Sequence, residues 1–144
     1  MEAAAIVLAA GAGTRMKSKK PKVAHEVLGK PLVRWVVDAA HAAGVTQVAT
    51  VVGHAREQVI PLVEDDTQVV VQEVQNGTAG AVLACADAFA DFDGSLSVLT
   101  GDCPLIKPET IARLAQVRDE NNAAVVVLTM KLDDPTGYGR IIRD

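Results

Sequence analysis

Short apolar runs alternate along this chain with segments in which apolar residues recur at helical spacing. The runs are mostly β-branched and contain few polar residues, a pattern typical of strands that are buried on both faces of a sheet. They occupy residues 3–8, 47–52, 68–72, 96–100 and 124–130. The segments with helical spacing lie at residues 31–43, 57–63, 78–89 and 108–121.

This alternation of strands and helices predicts a three-layer α/β fold of the Rossmann-like type. Strands joined through helices cross over in a right-handed sense, which gives a mainly parallel sheet with helices on both faces. The carboxyl ends of such strands share one edge of the sheet, and ligands bind in the loops there. These loops begin at Ala9, Gly53, Glu73, Gly101 and Lys131.

The chain shows no internal repeat, linker or low-complexity segment, so we expect residues 1–144 to form a single domain. Residues 137–143 are typical of a turn that leads into another strand, and the sequence ends where that strand would need a partner. We therefore expect either that the domain is C-terminally incomplete or that this unfinished edge at residues 141–144 pairs with a second copy in a homo-oligomer.

Composition and charge narrow the classes of function. Apolar residues make up 49% of the 144 residues, which is enough for a core, and a formal net charge of −4 argues against a nucleic-acid-binding protein. The basic residues nevertheless cluster at positions 15–22, which contain no acidic residue. Such a cluster favours a small polyanion that is held at one place.

The sequence also lacks the signals of a membrane or secreted protein. No stretch approaches the roughly 18 continuous apolar residues of a membrane span. The apolar start of the chain carries Glu2 instead of the basic residues of a secretion signal, and Cys85 and Cys103 lack metal-ligand spacing. We expect a cytoplasmic protein with no membrane partner.

The first apolar run leads into a glycine-rich turn at Gly11 and Gly13, followed by Arg15 and Lys22. Glycine lets backbone N–H groups approach an anion, a guanidinium donates paired hydrogen bonds to phosphate, and an ammonium adds a compact charge. The spacing matches neither a dinucleotide fingerprint nor a P-loop, and glycines alone are also ordinary turn residues. Together with the two cations they favour a phosphate-binding loop over a solvated basic loop.

Two further loops bring polar side chains to the same edge. Asp102 follows the fourth run, where a carboxylate facing phosphates suits Mg²⁺, although capping of the turn before Pro104 explains this aspartate equally well. Gln72 and Gln75 follow the third run with amide groups that suit the edge of a base, an assignment that spacing alone leaves open. We expect Thr78 to cap the helix that begins there.

Together these segments resemble the sugar-nucleotidyltransferase family, and within it the N-terminal uridylyltransferase domains of bifunctional N-acetylglucosamine-1-phosphate uridyltransferases. The resemblance runs nearly from end to end. The matching motifs are Leu8-Ala-Ala-Gly-Ala-Gly-Thr-Arg-Met16, Pro21-Lys-Val-Ala-His25, Gly29-Lys-Pro-Leu32, Gln72, Gln75-Asn-Gly-Thr-Ala79, Gly101-Asp-Cys-Pro-Leu105 and Asp134-Pro-Thr-Gly-Tyr-Gly-Arg-Ile141. The first motif occurs in many nucleotidyltransferases, whereas the Gly-Thr-Ala and Gly-Tyr-Gly-Arg motifs narrow the resemblance to this branch.

The resemblance implies that UTP reacts with N-acetylglucosamine 1-phosphate to form UDP-N-acetylglucosamine, a cell wall precursor, and pyrophosphate, with Mg²⁺ as the cofactor. It implies that Arg15 and Lys22 hold the phosphates, that Asp102 binds the metal and that Gly139 contacts the sugar. The nucleotide-binding residues that it implies are Leu8, Ala9, Ala10, Gly11, Gly13, Gln72, Gly77 and Thr78.

The chain also departs from the family pattern. Gly80 lies near a position where the family commonly has histidine, and we expect this difference to affect helix packing. The family domain continues past the last motif, where it supplies further sugar contacts and a second metal ligand, and the β-helix that carries acetyl transfer is absent. We therefore expect the chain to bind UTP more readily than it turns over a sugar phosphate.

Two alternatives remain open. One is a nucleotidyltransferase for another base or sugar phosphate, such as a thymidylyl, cytidylyl or molybdopterin guanylyl transferase. The other, from a different class, is a truncated nucleotide-binding or regulatory remnant with little turnover. The preference among nucleoside triphosphates distinguishes the first alternative from a uridylyltransferase. UTP binding without consumption identifies the second.

Overall fold

A computed structural model describes residues 2–143 of the chain. Its strands are β1 at Ala3–Ala9, β2 at Glu26–Val27, β3 at Lys30–Pro31, β4 at Gln47–Val52, β5 at Gln68–Val71 and β6 at Ser95–Thr100. Its α-helices are α1 at Leu32–Ala42, α2 at Thr78–Leu83 and α3 at Pro108–Glu120. Short 3-10 turns lie at Thr14–Met16, Lys22–Ala24, Arg56–Gln58, Ile60–Leu62 and Asp87–Phe89.

The main sheet consists of four parallel strands in the order β5-β4-β1-β6, and β2 and β3 form a separate antiparallel hairpin. The central strand β1 pairs with β4 from Ala4 opposite Gln47 and with β6 from Ala3 opposite Ser95. The chain adds β4 and β5 on one side of β1 and then crosses to place β6 on the other. Such a reversal of strand order opens a crevice at the carboxyl ends of the strands.

Helices cover both faces of the sheet, which confirms the predicted three-layer α/β fold. On one face Val7 and Val52 belong to a buried cluster with Val36 of α1 and Ile111 of α3. On the other face a second cluster joins strand residues to α2, and its buried members are Ile6, Ala10, Ala49, Val51, Ala81 and Cys85. Burial of each large side chain contributes roughly 1.5–3 kcal/mol, so the strands form a firm base for the loops at their ends.

Helix α1 ends where its sequence predicts. Gly44 has a φ of 86°, and its N–H donates to the carbonyl of His41 at 2.9 Å while that of Val45 donates to Ala40 at 3.2 Å. This pair of hydrogen bonds is the usual glycine-terminated end of a helix. The observed bounds of α1 lie within one residue of the predicted segment 31–43.

One predicted helix is absent and another is shorter than expected. Residues 57–63 form part of two 3-10 turns instead of a helix, because Pro61 lacks an N–H group and disfavours helical backbone at the residue before it. The segment 78–89 is α-helical only to Leu83, after which Cys85 and Ala86 bond to carbonyls three residues back. That tightening into 3-10 geometry is common at helix ends.

Residues 124–130, predicted as a fifth strand, form no strand, and neither do residues 137–143. Val125, Val127 and Leu128 are 75%, 62% and 59% exposed. A strand depends on ladder hydrogen bonds with a neighbouring strand, and within residues 2–143 these segments pair with none. The prediction was wrong because apolar content alone does not supply that neighbour.

The unfinished edge expected at residues 141–144 is therefore not formed at residues 141–143, and Asp144 lies outside the described residues. The outer strands of the described sheet are β5 and β6. The turn that precedes this segment does form, since Asp134 Oδ1 accepts a hydrogen bond from the Thr136 N–H at 3.1 Å.

Across residues 2–143, no helix combines the length and the apolar character that a membrane span requires.

One buried polar group in the sheet leads to a stability prediction. Thr50 lies in the middle of β4, is fully buried, and its Oγ1 has no hydrogen-bond partner among the described residues. An unpaired buried hydroxyl retains its desolvation cost, so Thr50→Val is expected to raise the free energy of unfolding by about 1 kcal/mol in urea denaturation. The control is Thr129→Val at an exposed threonine outside the sheet, which should change the free energy of unfolding little. A loss of stability in Thr50→Val would show that the hydroxyl is paired.

Candidate nucleotide-binding site

A cavity of about 480 Å³ lies at the carboxyl edge of the sheet, where the loops after β1, β5 and β6 meet. It contains most of the residues that the sequence assigned to a site. Those that line it are Leu8, Ala10, Gly11, Gly13, Arg15, Lys22, Gln72, Gly77, Thr78 and Asp102. Distant parts of the chain therefore converge on one concave surface large enough for a small ligand.

Two of the assigned residues are not among those that line the cavity. Ala9 is the last residue of β1 and is 1% exposed in the core on the α1 side of the sheet, so only its backbone is near the loop. Gly139 is exposed and belongs to the segment after residue 130 that has no regular structure. The structure thus assembles the residues expected for the nucleotide but not the glycine expected for the sugar.

The glycine-rich turn and Lys22 pack directly against each other. Gly13 has a φ of 60°, and its carbonyl accepts a hydrogen bond from the Met16 N–H at 3.0 Å, which starts the 3-10 turn that carries Arg15. A Cβ atom on Gly13 would lie 2.6 Å from Cβ of Lys22. Glycine is therefore required at position 13 both for the left-handed backbone and for the close approach of Lys22.

Lys22 and Asp102 form an ion pair between two of the converging loops. The Lys22 ammonium donates to Oδ2 of Asp102 at 2.7 Å, and the two side chains are 41% and 34% exposed. The hydrogen bond from Lys22 holds the pKa of the Asp102 carboxyl below its ordinary value, although burial acts in the opposite direction. Asp102 is thus ionised at neutral pH, the state in which a carboxylate binds a cation.

On the opposite side of the cavity the two glutamines make contacts within the protein. Gln72 is 7% exposed, and its Nε2 donates to Oδ1 of Asn76 at 2.9 Å and to the carbonyl of Gly77 at 3.2 Å. Nε2 of Gln75 donates to the carbonyl of Ala10 at 2.8 Å. Gln75 therefore ties the loop after β5 to the loop after β1.

The expected cap of α2 by Thr78 is wrong. The N-cap position is Gly77, with φ of 93° and ψ of −175°, and no side chain caps the helix. This backbone conformation is essentially limited to glycine, and with Gly77 as the cap the helix begins one residue earlier than a threonine cap at position 78 would require. Thr78 instead occupies the first helical position and lines the cavity.

Gly80 does affect local packing, as the sequence suggested. A Cβ atom at this position would lie 1.6 Å from Oδ1 of Asn76. The absence of a side chain at position 80 thus leaves room for the asparagine that holds Gln72.

The sequence pointed to no role for four further residues that line the cavity, namely Met16, Val23, Ala81 and Thr100. Gln75, which the sequence offered for the edge of a base, lines it as well. Gln75 had a chemical signal, its amide, but spacing alone did not show that it contacts Ala10. Val23 and Ala81 carry no polar group that would indicate a site. Their position follows only from the packing of the loops.

The chain is similar in sequence to known nucleotide-transferring domains. A family model described as a MobA-like NTP transferase domain matches residues 5–141. The bifunctional protein GlmU of Caldanaerobacter subterraneus is 48% identical over 143 residues, which is 99% of this chain and 31% of that protein. The chain thus spans about a third of the length of such relatives.

Two solved structures have a similar fold. A nucleotidyl transferase from Methanothermobacter (Mth528) matches with a TM-score of 0.68 and 26% identity, over 80% of this chain and 57% of that one. Rv0371c from Mycobacterium tuberculosis, in a complex with manganese, matches with a TM-score of 0.62 and 26% identity, over 81% of this chain and 59% of that one.

Proposed function

This chain belongs to the family of MobA-like NTP transferase domains, and we propose that it forms the nucleotide-binding part of a uridylyltransferase. In the proposed reaction UTP and N-acetylglucosamine 1-phosphate give UDP-N-acetylglucosamine and pyrophosphate. The observation that carries the proposal is the cavity in which a glycine-rich loop, two cations and an ionised carboxylate meet. Full-length relatives named GlmU, together with the motifs described above, support the choice of UTP and an amino-sugar phosphate.

The proposed chemistry is an in-line displacement at phosphorus. A phosphate oxygen of the sugar 1-phosphate attacks the α-phosphorus of UTP, a new P–O bond forms, and the bond to the β-phosphate breaks as pyrophosphate leaves. No residue needs to form a covalent intermediate. Catalysis by this chain would therefore come from holding the two substrates in line and from neutralising their phosphate charge.

Charge and shape give each side of the cavity a separate role in this proposal. Arg15 and Lys22 hold the phosphates, because they are the cations that line the cavity among residues 2–143. The backbone from Leu8 to Gly11 and the residues Gln72, Gly77 and Thr78 hold uridine. Gln72 uses both N–H groups of its amide within the protein, so its carbonyl oxygen is the group left for a donor on the base.

Asp102 fits a metal ion that arrives with phosphate. No group of three or more histidine, cysteine, aspartate or glutamate side chains within residues 2–143 forms a metal cage. Mg²⁺ needs no such cage, since it commonly takes one or two carboxylates together with substrate phosphates and water. Asp102, ionised and beside the proposed phosphate-binding lysine, matches that requirement, and the manganese complex of a similar fold supports it. A bound Mg²⁺ would supply neutralisation of phosphate charge.

The location of Gly139 favours a second function for the chain taken alone, namely binding of UTP without efficient transfer. Gly139 lies outside the cavity, in an exposed segment, so nothing from the last motif contacts the place where a sugar would sit. The nucleotide side of the cavity does not depend on this segment.

Calorimetry with UTP, CTP, dTTP and GTP in Mg²⁺, combined with an assay of pyrophosphate release in the presence of N-acetylglucosamine 1-phosphate, tests both proposals. We expect UTP to bind at least about 10-fold more tightly than CTP, because one good base contact provides about 1.4 kcal/mol or more. Turnover should be far below that of a full-length relative. Failure of every triphosphate to bind would contradict the proposed function, and turnover equal to that of the relative would contradict the second one.

A further inference from the structure

The two groups proposed for different parts of the ligand neutralise each other in the ligand-free protein. Lys22, assigned to a phosphate, lies 2.7 Å from Asp102, assigned to a cation. They are 80 residues apart in sequence and meet at the wall of the same cavity. The ammonium thus occupies the position at the carboxylate that a divalent cation would take.

The pair is simple in its surroundings. Among the described residues Lys22 has no other charged partner, and the second oxygen of Asp102 faces the thiol of Cys103 at 3.9 Å. Arg15, the other cation that lines the cavity, forms an ion pair with no carboxylate among residues 2–143. Lys22 is therefore the group that balances the charge of Asp102 before a ligand binds.

The pair is also built to exchange partners. More than a third of each side chain is exposed, and ion pairs with this much exposure contribute little to the stability of the fold. Lys22 has a long flexible stem, so its ammonium can move from a carboxylate to a phosphate without a change in the backbone.

We propose that Lys22 is an internal counter-ion for Asp102, which a nucleoside triphosphate draws away so that a divalent cation takes its place. This inference rests on the proposed function. A cation alone must displace an ammonium that has no other anion to contact, so it binds weakly. A triphosphate alone takes the ammonium but leaves Asp102 unpaired against its own negative charge. Cation and triphosphate therefore bind cooperatively, and each raises the affinity for the other by the same factor.

Binding of Mn²⁺ to the nucleotide-free chain, followed by electron paramagnetic resonance, tests the first half of this exchange. Lys22→Met removes the counter-ion and is expected to bind Mn²⁺ about 10-fold more tightly than the unsubstituted chain. The matched control is Lys20→Met, which removes the same charge two residues before Lys22. Lys20 pairs with Glu26 at 3.9 Å and does not line the cavity. The control should bind Mn²⁺ as the unsubstituted chain does.

A double variant tests whether the increase in Mn²⁺ affinity comes from Asp102. Lys22→Met combined with Asp102→Asn should lose the increase in Mn²⁺ affinity, since the carboxylate that the ion gains is then absent. Equal Mn²⁺ affinity in Lys22→Met and the unsubstituted chain would overturn the proposal. An increase that survives in the double variant would also overturn it, because the ion would then bind elsewhere.

Calorimetry with UTP in the presence of a chelator tests the second half. Without a divalent cation, Asp102→Asn should bind UTP about 5-fold more tightly than the unsubstituted chain, because Lys22 is released and the repulsion between carboxylate and phosphate is removed. Weaker binding by this variant would overturn the exchange while leaving UTP binding itself intact. Absence of UTP binding in every variant, with or without metal, is the separate result that removes the proposed function.

Discussion

In Mg²⁺, the Asp102→Asn variant is expected to bind UTP at least about 10-fold more weakly than the unsubstituted chain, and any pyrophosphate release should fall by about 100-fold or more. Asparagine keeps the shape of the side chain but not its charge, so the proposed cation loses its protein ligand. The same substitution strengthens UTP binding when a chelator removes the metal. A reversal of sign between the two conditions is difficult to produce by misfolding.

The control for this variant is Asp65→Asn, which makes the same change in charge at an exposed aspartate outside the cavity. It should leave UTP affinity unchanged in Mg²⁺ and in chelator. If Asp102→Asn bound UTP normally in Mg²⁺, the assignment of Asp102 as a metal ligand would be wrong. Calorimetry measures both conditions with the same protein preparation.

The second large effect is expected from Gly13→Ala. The added Cβ atom would lie 2.6 Å from Cβ of Lys22 and 3.3 Å from its backbone nitrogen, so the glycine-rich turn and the lysine must move apart. Because a displacement of about 1 Å in a positioned group can reduce its effect about 100-fold, we expect UTP affinity to fall by 10- to about 100-fold. The left-handed backbone adds a stability cost of about 1 kcal/mol.

Gly29→Ala separates these two effects. Gly29 also has a positive φ, 75°, but an added Cβ atom there meets no atom within 4 Å and the residue lies outside the cavity. It should lose a similar amount of stability in urea denaturation and retain its affinity for UTP. Equal losses of UTP affinity in the two variants would show that backbone strain, and not the contact with Lys22, is responsible.

The strands at the centre of the sheet could be predicted from sequence almost residue by residue. Strand β4 is observed at the predicted bounds, and β1 differs by one residue. Both are buried on two faces, so their sequences are almost continuously apolar instead of alternating with polar residues. The shared edge of Lys22 and Asp102 follows from the same rule, because parallel strands bring their carboxyl-terminal loops together.

Features that depend on tertiary contacts could not be predicted in this way. Sequence spacing places Lys22 and Asp102 near one edge, but their direct ion pair depends on how closely the chain packs at Gly13. The start of α2 directly after Gly77 depends on a backbone conformation of that glycine which no side chain signals. Residues 124–130 have the composition of a strand, yet a strand also needs a partner with free ladder groups.

The most direct test of the central proposal is a crystal structure of this chain with UTP and Mn²⁺, in which anomalous scattering locates the ion. We expect the triphosphate to lie along the turn from Gly11 to Gly13 with the Lys22 ammonium on a phosphate oxygen, and the ion to be bound jointly by Asp102 and phosphate. A nucleotide outside this cavity, or an ion bound without Asp102 while Lys22 still contacts that carboxylate, would contradict it.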